Sequence, residues 1–282
     1  MNNTSVFDNN NEISWCPGCG NFNILKALKK AFLDLSLKPK DIYLISGIGQ
    51  AAKLPHFINT NGFNSLHGRA LPVAFGAHCT NPNLNIFAIT GDGDGYGEGG
   101  NHFIHGIRKN FNIVHMVHNN QIYGLTKGQA SPTTLFNQRT TLQLNGVKQE
   151  PLNPIALAIS LNCSFVARSF SGDTEHLISV IKEAYNHKGY SLIDILQPCV
   201  SFNKVNTYKW YNDRIYYLND TYDPYNKIKA FETSQKFGDE GIPLGIIYKS
   251  SKSTYLDRFP YKKEILNINN REIDYSTIFS KY

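Results

Sequence analysis

Three short apolar runs, each opening into a glycine- or asparagine-rich turn, constrain this chain most. Residues 42–45 read IYLI and lead into S-G-I-G-Q; residues 85–90 read NIFAIT and lead into G-D-G-D-G; residues 113–118 read IVHMVH and lead into N-N-Q-I-Y-G. Runs this short and this apolar are strands buried on both faces. Between and beyond them the apolar spacing is helical, at residues 23–35, 69–78, 101–111, 154–161 and 174–187. Pro72 and Gly76 weaken the second of these helices. Two more short strands fall at 165–167 and 192–196. The alternation predicts an α/β fold, a parallel sheet with helices on both faces. Ligands of such sheets sit at the carboxyl ends of the strands. The three turns therefore belong to one edge of the molecule.

With 282 residues, 41% hydrophobic and 18% charged, the chain can bury a full core. Residues 1–203 carry the alternating pattern. Residues 204–282 form a C-terminal extension of different character, dense in Tyr, Asn and Asp over 208–225, with Trp210, Tyr211, Tyr216, Tyr217, Tyr222 and Tyr225. An aromatic segment this polar covers either its own domain or a partner. One further strand is expected at 242–248. No run approaches the ~20 apolar residues of a membrane span, and the start of the chain lacks the basic and apolar regions of an export signal, so a cytoplasmic protein is expected. The net charge of +6 is scattered, with no basic run interleaved with stacking aromatics, which argues against a nucleic-acid groove. Five cysteines, an odd number without an export signal, are not a disulfide framework. Cys79 and Cys163 read as small buried hydrophobes. Most of the histidines read as packing or surface residues, although His102 and His105 share a helix face.

The chemistry is concentrated between residues 90 and 129. Asp92, in G-D-G at one strand end, and Asn120, in N-N at the next, are separated by 28 residues, enough for the helix and returning strand of a βαβ unit. A carboxylate from Asp92, an amide oxygen from Asn120 and the Ile122 carbonyl are hard oxygen donors. Mg²⁺ takes about six of these in an octahedron and commonly shares them with phosphate. The flanking glycines let a phosphate approach the backbone, and the helix opening near residues 99–101 directs its positive end there. A Ca²⁺ loop starting at Asp92 is excluded, because its twelfth position is Phe103.

This pattern resembles the G-D-G…N-N motif of thiamine-diphosphate enzymes. With W-C-P-G-C-G (15–20), S-G-I-G (46–49), L-H-G-R-A (66–70), Y-G-L-T-K-G-Q-A-S-P-T (123–133) and Q-P-C (197–199), the chain resembles the beta subunits of 2-oxoacid:ferredoxin oxidoreductases, in order over residues 15–200. The resemblance implies that Ile48, Gly49, Gln50, Ala51, His67, Gly93, Asp94, Gly124 and Leu125 hold the diphosphate, and that Lys53 and Leu125 lie near the 2-oxoacid. It implies oxidative decarboxylation of a 2-oxoacid, 2-oxoglutarate rather than pyruvate, with coenzyme A as acyl acceptor and ferredoxin as electron acceptor. It further implies an alpha subunit that supplies the pyrimidine-binding domain and the catalytic glutamate, so the beta subunit alone is expected to be inactive.

Cys16, Cys19 and Cys199 resemble three of the four thiolates that hold a [4Fe–4S] cluster in that family. The fourth is commonly a cysteine in S-G-I-G-C, where this chain has Gln50, a poor iron ligand. A three-cysteine cluster with an exchangeable site, no cluster, and zinc on the remaining thiolates all stay open here. So do two other functions: a non-oxidative thiamine-dependent decarboxylase, and a non-catalytic cofactor- or zinc-binding subunit.

Overall fold

The structure, a computed structural model, describes residues 4–259 and Ser280. Seven α-helices and eight strands occur among the described residues. The strands β1 (Ile42–Ser46), β2 (Asn61–Asn64), β3 (Asn85–Gly91), β4 (Ile113–Asn119), β5 (Phe165–Phe170), β6 (Tyr190–Leu196), β7 (Ile215–Tyr217) and β8 (Ile242–Lys249) form one sheet in the order β2-β1-β3-β4-β6-β5-β8-β7. The first six in that order run parallel. The last pair joins through β8, which lies antiparallel to β5 and parallel to β7. The expected α/β fold with a parallel sheet is therefore present, closed on one side by an antiparallel return.

β4, β5 and β6 are buried at every position, as two-sided coverage requires. Helices α1 (Gly20–Asp34) and α5 (Thr174–Asn186) pack on one face, contributing Ile24, Leu28, Phe32, Leu177 and Ile181 to its core. Helices α2 (Ala70–Thr80), α3 (Gly100–Lys109) and α4 (Pro154–Ser160) cover the other, with Leu71, Phe103, Ile107 and Ile155. Each such side chain, fully buried, contributes about 1.5–3 kcal/mol. The Asn153 and Asp173 side chains accept from Ala156 N and His176 N, capping α4 and α5. Between them α6 (Tyr208–Asn212), α7 (Lys227–Ser234), β7 and β8 put much of the C-terminal stretch against the same sheet. The expected strand at 242–248 is β8. The remainder of that stretch, residues 260–279 and 281–282, lies outside the described residues.

β2 was not legible in the sequence, because all four of its residues, NGFN, are exposed. His102 and His105 do not form a joint site. His102 Nε2 lies 2.9 Å from Arg69 Nη1, and His105 Nδ1 lies 2.9 Å from Arg108 Nη1. His115, on β4, is fully buried between the Thr90 hydroxyl (2.9 Å) and the Tyr190 hydroxyl (2.7 Å). One neutral ring nitrogen accepts and the other donates, so these partners suit the uncharged ring. Burial lowers its pKa from 6.5 to about 3. The unfolded chain therefore takes up a proton first as pH falls through 6.5, and stability present at neutral pH is lost below it. At pH 5 this one group costs about 2 kcal/mol. Urea unfolding at pH 7 and pH 5 should show His115→Gln losing about 2 kcal/mol less than wild type; equal losses would contradict the assignment.

Candidate functional site: a cleft at the ends of β1, β3 and β4

β1, β3 and β4 are neighbours in the sheet, and the turns that follow them meet in one cleft. Ile48, Gly49, Gln50 and Ala51 line it from the turn after β1. Asp92, Gly93 and Asp94 line it from the turn after β3, and Asn120, Ile122, Gly124 and Leu125 from the turn after β4. His67 reaches it from the segment before α2. Each residue expected at the diphosphate or its metal is thus on this wall. Lys53 is not: its ammonium lies 3.5 Å from the Ser14 hydroxyl. Leu125, expected near the substrate, is 41% exposed at the rim.

Asp94 ties the turn after β3 to the turn after β1 and to the segment before α2. Its Oδ1 accepts from Ile48 N (3.1 Å) and Gly68 N (2.7 Å) and lies 2.9 Å from His67 Nδ1. Burial pushes the Asp94 carboxyl upward in pKa against those two backbone donors. Gly68 has φ +71°, and a Cβ there would stand 2.5–2.7 Å from backbone atoms of Glu98 and Gly99. Only glycine fits so close a crossing. Gly49, at φ +121°, has nothing within 4 Å of where its Cβ would be, so its bare backbone faces open space in the cleft. After Asp92 the chain makes one π-helical turn, Gly93–Glu98, before α3 begins. Such turns occur often at functional sites.

The metal corner is more sharply defined. Asp92 is 1% exposed, and burial pushes its carboxyl up to about 6. Among the described residues no cationic side chain pairs with it. Its Oδ2 accepts from the Thr133 hydroxyl at 2.7 Å, and the same hydroxyl lies 2.9 Å from Asn119 Oδ1. Gln121 turns the chain through φ +58°, and Asn120 Oδ1 accepts from Ile122 N at 3.0 Å, so Asn120 and Ile122 line the cleft beside Asp92. A buried carboxylate without a positive partner, next to an amide oxygen and a backbone carbonyl, is a donor set for a hard divalent cation. The residues fit Mg²⁺ with a diphosphate.

Sequence reasoning gave no role to Thr133, Tyr123 or Glu98. The Tyr123 hydroxyl donates to Glu98 Oε2 at 3.0 Å across the cleft wall, and burial raises its pKa. A β-bridge between Tyr123 and Gln129 folds the chain back, which brings Thr133 under Asp92. Thr133 closes the Y-G-L-T-K-G-Q-A-S-P-T run, and that spacing was the only available signal.

Cys16, Cys19, Cys199 and Gln50 line a second, smaller pocket with Trp15 and Gln197. Burial raises the Cys19 thiol to about 11. Gln50 Oε1 is buried without a partner. Among the described residues no group of three or more His, Cys, Asp and Glu side chains is placed to hold a metal ion. A four-thiolate cluster does not fit this pocket, because its fourth corner is an amide.

Residues 47–195 match the thiamine pyrophosphate enzyme family's C-terminal TPP binding domain. Residues 199–264 match the C-terminal family of the pyruvate ferredoxin oxidoreductase beta subunit. The chain is 41% identical to 2-oxoacid:ferredoxin oxidoreductase 1, subunit beta, of Aeropyrum pernix, over 91% of this chain and 84% of that one. It is 44% identical to the corresponding beta subunit of Saccharolobus solfataricus, over 86% and 84%. This chain belongs to the family of 2-oxoacid:ferredoxin oxidoreductase beta subunits. As a beta subunit it is part of a multi-subunit oxidoreductase that carries a thiamine-diphosphate-binding domain. A solved 2-oxoglutarate:ferredoxin oxidoreductase from Magnetococcus marinus, with 2-oxoglutarate, coenzyme A and succinyl-CoA bound, superposes on the beta subunit with a TM-score of 0.92, at 31% identity over 99% of this chain and 95% of that one. No helix among the described residues is long and apolar enough to cross a membrane.

Proposed function

We propose that this beta subunit supplies the diphosphate- and Mg²⁺-binding half of a 2-oxoglutarate:ferredoxin oxidoreductase site, completed by an alpha subunit. One observation carries the reading: Asp92, Asn120 and Ile122, from the ends of β3 and β4, line the same cleft as the turn after β1. Asp92 Oδ, Asn120 Oδ1 and the Ile122 carbonyl hold the ion. Thr133 fixes the Asp92 carboxylate, and Asp94 fixes the turns carrying Ile48 and His67. Ile48, Gly49, Gln50, Ala51, His67, Gly93, Asp94, Gly124 and Leu125 surround the diphosphate. Bound there, thiamine diphosphate would supply the nucleophilic carbon and the electron sink for loss of CO₂ from a 2-oxoacid. The chain's own part is to orient the cofactor and to neutralise its diphosphate charge. Leu125, at the rim, stands toward the substrate side, Lys53 lies beside Ser14 outside the cleft wall, and the described part of the C-terminal extension, residues 204–259, contributes to the partner interface.

2-Oxoglutarate is favoured because relatives of this chain are named for it, among them the 2-oxoglutarate oxidoreductase subunit KorB of Mycobacterium tuberculosis, 41% identical over 70% of this chain and 53% of that one, and because the Magnetococcus marinus enzyme has it bound. Coenzyme A is the acyl acceptor and ferredoxin the electron acceptor. The test is turnover by the co-expressed complex with coenzyme A and a low-potential dye. 2-Oxoglutarate is expected to outperform pyruvate, and the isolated beta subunit to be inactive. Turnover by the isolated, cofactor-loaded chain, or a preference for pyruvate, would contradict the reading.

The cysteine pocket can offer a cluster three thiolates, from Cys16, Cys19 and Cys199, and no fourth. Iron and inorganic sulfide analysis of the anaerobically purified complex decides whether that form is present. Iron that is lost in Cys16→Ser would support the three-thiolate form, while zinc or no metal in this chain would contradict it.

A further inference from the structure

A third cavity, of about 250 Å³, lies behind the metal corner and shares no lining residue with the cofactor cleft. At ~30 Å³ per water it holds several waters or one small organic molecule. Its polar floor is Arg168 on β5, opposite Asp194 on β6. Arg168 is 3% exposed, and its guanidinium stands over the Phe237 ring at 5.5 Å.

The pairing of this arginine is incomplete. Arg168 Nε is 3.7 Å from Asp194 Oδ2, too long for a hydrogen bond. Nε and Nη1 are buried and have no partner. Asp194 is held instead through Oδ1, which accepts from Tyr96 (3.0 Å) and Asn119 (3.0 Å). A guanidinium does not shed its proton, so its charge remains with unmet donors. The neighbouring polar side chains are already engaged. Gln121 donates to Thr133 O and accepts from Tyr211; Asn153 donates to Ser234 O and accepts from Ala156 N. Around the guanidinium stand Leu135, Pro151, Leu152, Pro154 and Phe237. The cavity therefore presents one guanidinium with open N–H donors beside Asp194, polar side chains such as Gln121 and Asn153 that are already hydrogen-bonded, and an apolar wall.

We propose that this cavity binds a small monocarboxylate with a short apolar tail, the carboxylate against the Arg168 guanidinium and the tail against Leu152 and Phe237. A planar carboxylate matches the fork of N–H donors left open, and the tail replaces water on the apolar wall. The site does not depend on the reading of the cofactor cleft.

The experiment uses the assembled complex loaded with Mg²⁺ and thiamine diphosphate, titrated with trifluoropropionate and followed by fluorine NMR. Trifluoropropanol serves as the uncharged control. Saturable binding of the acid is expected, weakened about tenfold or more in Arg168→Met and in Leu152→Trp, which fills the cavity while keeping the arginine. Arg168→Met leaves Asp194 buried without its cation; if that variant does not fold, Leu152→Trp and Leu135→Trp carry the test. Absence of saturable binding, equal binding of the alcohol, or undiminished binding in folded Leu152→Trp would overturn the proposal.

Discussion

Asp92→Asn in the assembled complex should weaken Mg²⁺-dependent thiamine diphosphate binding by about 100-fold or more and abolish turnover, while making the cofactor-free chain more stable. Asparagine keeps the shape and can still hydrogen-bond Thr133, but it removes the negative charge the ion needs. Altering even a group behind a metal ligand costs about 10–100-fold, and this change strikes the ligand itself. The stability gain follows from the sign of the pKa shift. Burial raises the Asp92 carboxyl from 3.8 to about 6. The folded, metal-free chain therefore penalises the charged form, not at all below 3.8 and fully above about 6. At pH 7.5 the penalty amounts to about 3 kcal/mol, and the neutral asparagine does not incur it. Isothermal titration with cofactor, beside urea unfolding without it, reads both halves. Unchanged cofactor affinity, or a less stable apo chain, would show that Asp92 serves the fold rather than a ligand.

Gly68→Ala should destabilise the chain by about 3 kcal/mol and raise the thiamine diphosphate requirement of the complex. The left-handed backbone at φ +71° costs a side chain about 1–2 kcal/mol. The clash with the Glu98–Gly99 backbone adds about 1–3 kcal/mol of overpacking. The same residue donates its N–H to Asp94, so a shift there loosens His67 and Ile48 together. A variant within about 0.5 kcal/mol of wild type, the range of an unconstrained surface change, would mean that this crossing tolerates a side chain.

The fold was legible wherever a strand is buried on both faces. The runs at 42–45, 85–90 and 113–118 became β1, β3 and β4, because continuous apolarity is what two-sided coverage demands. β2 was illegible because nothing in N-G-F-N is buried. Its strand geometry is imposed by pairing with β1, which leaves no mark on a single sequence. The cleft was legible through Asp92 and Asn120, whose spacing reports one βα unit. Thr133 was not, because its role depends on a chain reversal between Tyr123 and Gln129 that periodicity does not encode. Arg168 was hidden for a similar reason: within the strand it and Ser169 are two polar residues among apolar ones, and only the register with β6 sets it opposite Asp194.

The central claim is that one divalent ion joins the ends of β3 and β4 to a diphosphate. Crystals of the alpha–beta complex grown with Mn²⁺ and thiamine diphosphate, with diffraction recorded at the manganese absorption edge, test it most directly. The prediction is a single anomalous peak in this chain, contacted by an Asp92 carboxylate oxygen, Asn120 Oδ1, the Ile122 carbonyl and two phosphate oxygens. A fully ligated cofactor whose metal sits elsewhere, or whose diphosphate lies away from these turns, would contradict it.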